Sequence, residues 1–100
     1  MAQRKGPKFK QGEDELVHYE LELDPAPSLP GITTVWDETD EPRVDVTTTI
    51  VLGSSVVQNG LLITAGIANV VEDHTYRVEC QYTDGNGNLL EPWFTIVGER

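Results

Sequence analysis

The side chains with which this chain of 100 residues could do chemistry are two histidines, one cysteine and several acidic runs. Zinc sites draw Cys and His at paired spacings. Cys80 stands alone and His18 and His74 lie on separate segments, so no protein-only zinc site is expected. The stretch DGNGNL places Asp84, Asn86 and Asn88 at the first, third and fifth positions of a calcium loop. Leu89 then replaces the required glycine and Thr95 the bidentate glutamate, which leaves a hairpin turn as the better reading. Asp37, Glu38, Asp40, Glu41 and Asp45 carry ligand-type oxygens, but acidic loops of this kind are ordinarily solvated, and no metal is assigned to them. Cys80 has the inward parity of an apolar strand and an acidic neighbour in Glu79. It reads as a buried thiol, since a nucleophilic one needs positive surroundings.

General acid–base catalysis needs carboxylates whose pKa values are split by burial or a pocket. Every acid here falls in a polar run or on the outward parity of a strand. No Gly-rich loop precedes a helix and no Ser/His/Asp arrangement is suggested, so neither an enzyme nor a cofactor is expected. Trp36, Trp93, Tyr19, Tyr76 and Tyr82 are not interleaved with Lys or Arg, as a stacking platform for single-stranded nucleic acid would require.

The elements that would position these residues read as β throughout. In ELVHYELEL (15–23), Val17, Tyr19, Leu21 and Leu23 alternate with His18, Glu20 and Glu22. DPAPSLPG (24–31) is a proline-rich turn expected to leave the ladder. GITTVWD (31–37) predicts a strand with Ile32, Thr34 and a core Trp36 on one face. RVDVTTTIVLG (43–53) predicts the longest strand, with Val44, Val46, Ile50 and Leu52 sharing one face with Thr48. A further strand runs from Leu61 to Ile67, interrupted at Ala65 and Gly66, and NVVEDH forms a corner. Tyr76, Val78, Cys80 and Tyr82 then alternate up to the turn at Asp84–Asn88, and Pro92 to Val97 returns. Phe94 and Ile96 face inwards, whereas Trp93 has the opposite parity and either joins an interface or covers the end of the fold. About seven short antiparallel strands with turn signals between them predict a β-sandwich.

Charge divides the chain. Arg4, Lys5, Lys8 and Lys10 precede any acid, which leaves three basic and seventeen acidic residues for the rest and a net charge of −10 overall. Residues 1–14, with Gly6, Pro7, Gly12 and Phe9 as the one large apolar anchor, read as a flexible basic arm preceding a domain at 15–100. An acidic body repels phosphate backbones, so the folded part is not expected to bind nucleic acid. No apolar run approaches the ~20 residues of a membrane helix. No secretory leader is expected either, because no apolar stretch follows MAQRKGPKFK.

Tyr76 opens the penultimate strand six residues after Val70, across a polar corner. This placement resembles the tyrosine corner of immunoglobulin-like and fibronectin type III domains. Residues 15–100 as a whole resemble the small immunoglobulin-like virion proteins of tailed bacteriophages. The likeness rests on ELVHYELEL, ITTVWD, VDVTTTIVLGSS and IANVVEDHTYRVECQYTDGNGNLL followed by FTIVGE. The resemblance implies a non-enzymatic particle protein, foremost a capsid decoration (cement) protein and otherwise a neck, tail or fibre accessory. A host-glycan adhesion module is the third reading. The implied partners are the major capsid protein and further copies of the chain itself. The implied site is the virion surface after synthesis in the bacterial cytoplasm, which suits a chain with a single cysteine. Candidate contact residues are Arg4, Lys5, Lys8, Phe9 and Lys10 of the arm together with Trp93; Trp36, Val70, Tyr76 and Phe94 would hold the scaffold. Either edge strand, 15–23 or 92–97, could extend a partner's sheet.

Overall fold

The structure, a computed structural model, describes residues 5–100. Its strand segments are β1 (Lys5–Gly12), β2 (Glu20–Leu21), β3 (Pro27–Asp37), β4 (Val44–Asp45), β5 (Val51–Leu52), β6 (Val56–Gln58), β7 (Leu61–Ile63), β8 (Gly66–Ile67), β9 (Thr75–Asp84), β10 (Leu89–Leu90) and β11 (Trp93–Glu99). One helical turn, α1 (Thr47–Ile50), stands between β4 and β5. The main sheet runs β1-β11-β9-β3-β4, with β10 pairing with β9 off this path. Facing it are a three-stranded sheet, β2-β7-β6, and the pair β5-β8. The fold is an all-β sandwich with short strands in its second layer.

One cluster fills the space between the layers. The main sheet contributes Val35, Tyr76, Val78, Cys80, Tyr82, Phe94 and Ile96, and the second layer Tyr19, Leu21, Ile50, Leu62, Ile67 and Val70. Alternation explains the set on β9 and β11, where every second side chain is sealed from water. Tyr76 closes its corner as the sequence suggests: the Val71 N–H donates to the phenol oxygen at 2.8 Å, and the ring and Val70 are both buried. The same corner lies against β11, where a Cβ on Gly98 would collide with the Val71 carbonyl.

Several expectations are corrected. The segment read as a flexible arm supplies strand β1, which pairs with β11 in parallel. The sandwich is therefore not wholly antiparallel. A parallel pair needs a long crossover, and here the whole intervening domain serves as that connection. Phe9 packs tilted against Tyr19 and edge-on against Phe94, at centroid distances of 4.7 and 5.5 Å. Gln11 is buried, donating to the Ile67 carbonyl at 2.7 Å and accepting from the Tyr19 hydroxyl at 2.6 Å. Inward Phe9 and Gln11 alternating with exposed Lys8 and Lys10 outweigh the weak strand propensity of the glycines and proline. Strand 92–97 is thereby covered on both sides and is not an edge.

β3 begins at Pro27 rather than Gly31, and the prolines are accommodated by irregular register between Pro27 and Leu29 and between Pro30 and Thr33. Beyond Thr33 the register is regular, and the face shared by Ile32, Thr34 and Trp36 is the outer one. Val35 is fully buried, Ile32 is 67% exposed, and Trp36 lies on the outer face instead of in the core. The long strand at 43–53 is broken. Asp45 accepts the Thr47 N–H and hydroxyl at 2.9 and 2.6 Å, a local bond that diverts the backbone into α1. Ile50 is buried by that turn, whereas Val44 and Leu52 are exposed.

A candidate docking face on the outer side of the main sheet

The residues on the outer face of the main sheet come from four neighbouring strands. β11 contributes Trp93, Thr95 and Val97, and β9 contributes Arg77, Glu79 and Gln81. Trp36 of β3 lies opposite Arg77, and Lys8 and Lys10 of β1 lie beside Thr95 and Val97. Glu79 anchors the middle. One carboxylate oxygen accepts the Trp36 indole N–H at 2.9 Å and the other accepts Arg77 Nε at 3.0 Å. The Arg77 guanidinium carbon sits 4.0 Å from the centre of the Trp93 ring, and that of Arg43 lies 4.1 Å from the Trp36 ring. Arg43 also reaches Glu38 at 3.5 Å. The result is a continuous ladder, Trp93–Arg77–Glu79–Trp36–Arg43–Glu38, laid flat across the sheet.

Burial makes the centre of this ladder stiff: the side chains of Arg77 and Glu79 are only 16% and 11% exposed. An ion pair so covered is weakly screened, and its charges keep their hydrogen bonds. Gln81 donates to Glu91 at 2.8 Å on the same face. Trp and Arg are the residue types that carry most energy at protein interfaces, and here both are held in place before any partner arrives.

The expected contact residues separate. Lys8, Lys10 and Trp93 come together on this face. Phe9 turns into the core, Lys5 opens β1, and Arg4 lies outside the described residues. Trp93 is half-buried under Arg77. Arg77, Glu79 and Arg43 were not singled out from sequence. The available signal was a charged pair two apart in an apolar strand, which places both on one face of it.

Elsewhere the chemistry-bearing side chains are tied into the scaffold. Burial pushes the Cys80 thiol up to about 12; a Thr33 hydrogen bond pulls it back, and the nearby Glu79 charge adds to the rise. His18 Nδ1 lies 2.9 Å from the Thr64 carbonyl, and His74 Nδ1 lies 2.7 Å from Asp37. Asp84 closes its hairpin by accepting the Asn86 and Asn88 N–H groups, both at 2.9 Å, and the Asn88 amide at 3.1 Å. Among the described residues, no three His, Cys, Asp or Glu side chains gather as a metal cluster would. No helix among them is long and apolar enough to cross a membrane.

No protein-family model, curated protein or solved structure matches the chain.

Proposed function

We propose that the protein is a non-enzymatic structural component of a tailed-phage particle, a capsid decoration protein that bridges neighbouring major capsid subunits. The resemblance of residues 15–100 to small immunoglobulin-like virion proteins supports the setting. The observation that carries a binding role is the outer face of the main sheet. Its tryptophan–arginine–glutamate ladder is built in advance, and the exposed Lys8 and Lys10 flank it on a chain of net charge −10. Holding aromatic and guanidinium groups in position lowers the ordering cost of binding. Two local cations orient an otherwise acidic body, so that this face rather than the others meets an acidic capsid surface. Many copies, each making a modest contact on two subunits, add up to resistance against internal pressure.

Copy number is the test. Quantifying the chain against the major capsid protein in purified particles should give a ratio near one to one, and particles stripped of it should rupture at lower temperature. A handful of copies per particle would move the protein to the neck or tail. Absence from particles would leave a free adhesion module. Where the ratio is high, the double variant Lys8→Glu/Lys10→Glu should weaken rebinding to stripped capsids about tenfold, a change of about 1.4 kcal/mol, while the fold is retained.

A further inference from the structure

A second feature lies on the opposite flank of β3. β4 covers β3 only at Trp36 and Asp37. One residue earlier, Val35 directs its backbone to that flank, where its carbonyl accepts the Val46 N–H and its N–H donates to the Thr47 hydroxyl, both at 2.9 Å. The register from Thr33 to Asp37 is regular, so Thr33 points its N–H and C=O the same way. Its partner across the sheet agrees: Cys80 sends its N–H away from β3, to the Pro92 carbonyl at 2.9 Å. No strand pairs with Thr33 on that flank among the described residues.

A half-open cavity of about 340 Å³ lies there instead, bounded by Gly31, Ile32, Thr33, Thr47, Val51 and the Gly53–Ser55 loop. The Thr33 hydroxyl is already engaged with Ser55 at 3.1 Å, so the backbone is the group left facing the opening. None of the lining residues is charged, in a chain of which 24% is charged. Ile32 in the lining is 67% exposed, and the neighbouring Leu52 and Val56 are 45% and 48% exposed.

We propose that this cavity accepts an extended, uncharged peptide segment of a partner protein, which adds to β3 as a strand and pairs with the backbone of Thr33. A main-chain donor and acceptor side by side on a strand edge are matched by another strand. A charged segment would lose its hydration against a lining with no counter-charge, which selects a neutral one. The volume sits at the low end for ligand sites, ~300–1,000 Å³, and mixed hydroxyl and aliphatic walls suit alternate small side chains such as Val, Thr or Ser. This site is separate from the outer face and does not depend on the virion reading.

The test exposes the intact protein to an array of N-acetylated, C-amidated hexapeptides made from Thr, Val, Ser, Ala and Gly. A matched set carries Lys or Asp at the central positions. Neutral peptides should be retained over charged ones, with amide shifts centred on Thr33 and Val51. Backbone N-methylation of a retained peptide should abolish its binding. Thr33→Pro should cut binding at least tenfold; it removes the N–H facing the cavity, which the β9 ladder does not use. Ser54→Glu, in an exposed loop, should do the same through charge and guards against a folding defect in the proline variant. Retention of no peptide, a preference for charged ones, or binding that survives N-methylation or both substitutions would overturn the proposal.

Discussion

Tyr76 shows how one hydroxyl fixes a corner. The ring is 2% exposed, yet its oxygen meets the Val71 N–H at 2.8 Å where the chain turns. Burial raises the phenol pKa, the Val71 bond works against the rise, and the charge of Asp37 adds to it. Val71 is itself half-exposed, so water can take over part of the lost bond. Tyr76→Phe should therefore cost about 1 kcal/mol, read as a lower urea midpoint with an unchanged slope. Three aspartates contribute to stability in a way that acid removes. For Asp37, burial opposes ionisation but is outweighed by the Thr39 hydroxyl, His74 and the Thr39 N–H. Asp45 is lowered by the Thr47 hydroxyl and N–H, and Asp84 by the Asn88 N–H and amide with help from Asn86 and Gly87. Each has a folded pKa below its unfolded value near ~3.9. Their contribution is complete above that pH and is lost as pH falls through the folded values. Denaturation at stepped pH should show this contribution level above about pH 5 and falling below about pH 4. Asp37→Asn should make the acid fall shallower, and an unchanged slope would refute the role given to Asp37.

At the scale of elements, the hairpin of β9 and β11 was legible because its alternation, its glycine–asparagine turn and Tyr76 all agree. The outer tryptophans were only half legible. Parity placed Trp93 correctly and grouped Ile32, Thr34 and Trp36 on one face, but that face is the outer one, with Val35 facing the core. Periodicity groups residues by face but does not say which face is buried; the indole N–H finding Glu79 across the sheet is a tertiary fact. The break at α1 was hidden for a related reason, since a β-branched run reads as strand until Asp45 captures Thr47. β1 carried a signal in KFKQ, whose alternation is that of a half-buried strand, but charge and glycine content pointed to an arm. The consequence can be measured. Phe9 is partly buried against Tyr19 and Phe94, so Phe9→Ala should destabilise by roughly 2–3 kcal/mol, less than the ~3–5 of a fully buried ring. A free arm would give no change in the denaturation midpoint.

Over the whole molecule, charge pulls stability and docking in opposite directions. Seventeen acidic residues face seven basic ones on a body measuring 39 × 26 × 22 Å. The charge-screening length is ~30 Å at 0.01 M salt and ~8 Å at 0.15 M, so at low salt nearly every carboxylate feels the others. Covered charge contacts such as the Arg77–Glu79 pair are short, at 3.0 Å. Screening therefore relieves the diffuse repulsion more than it weakens these contacts. Raising NaCl from about 10 to 150 mM at pH 7 should lift the melting temperature by several degrees, because ~1 kcal/mol shifts a domain of this size by ~4–8 °C. Over the same range, the capsid attachment proposed for the exposed Lys8 and Lys10 should weaken, since it would draw on the long-range attraction that salt removes. Thermal melts and capsid rebinding across one salt series would show the two curves diverging. A melting temperature that falls with salt would mean that exposed ion pairs outweigh the repulsion. Rebinding indifferent to salt would mean that the tryptophan ladder docks without help from the lysines.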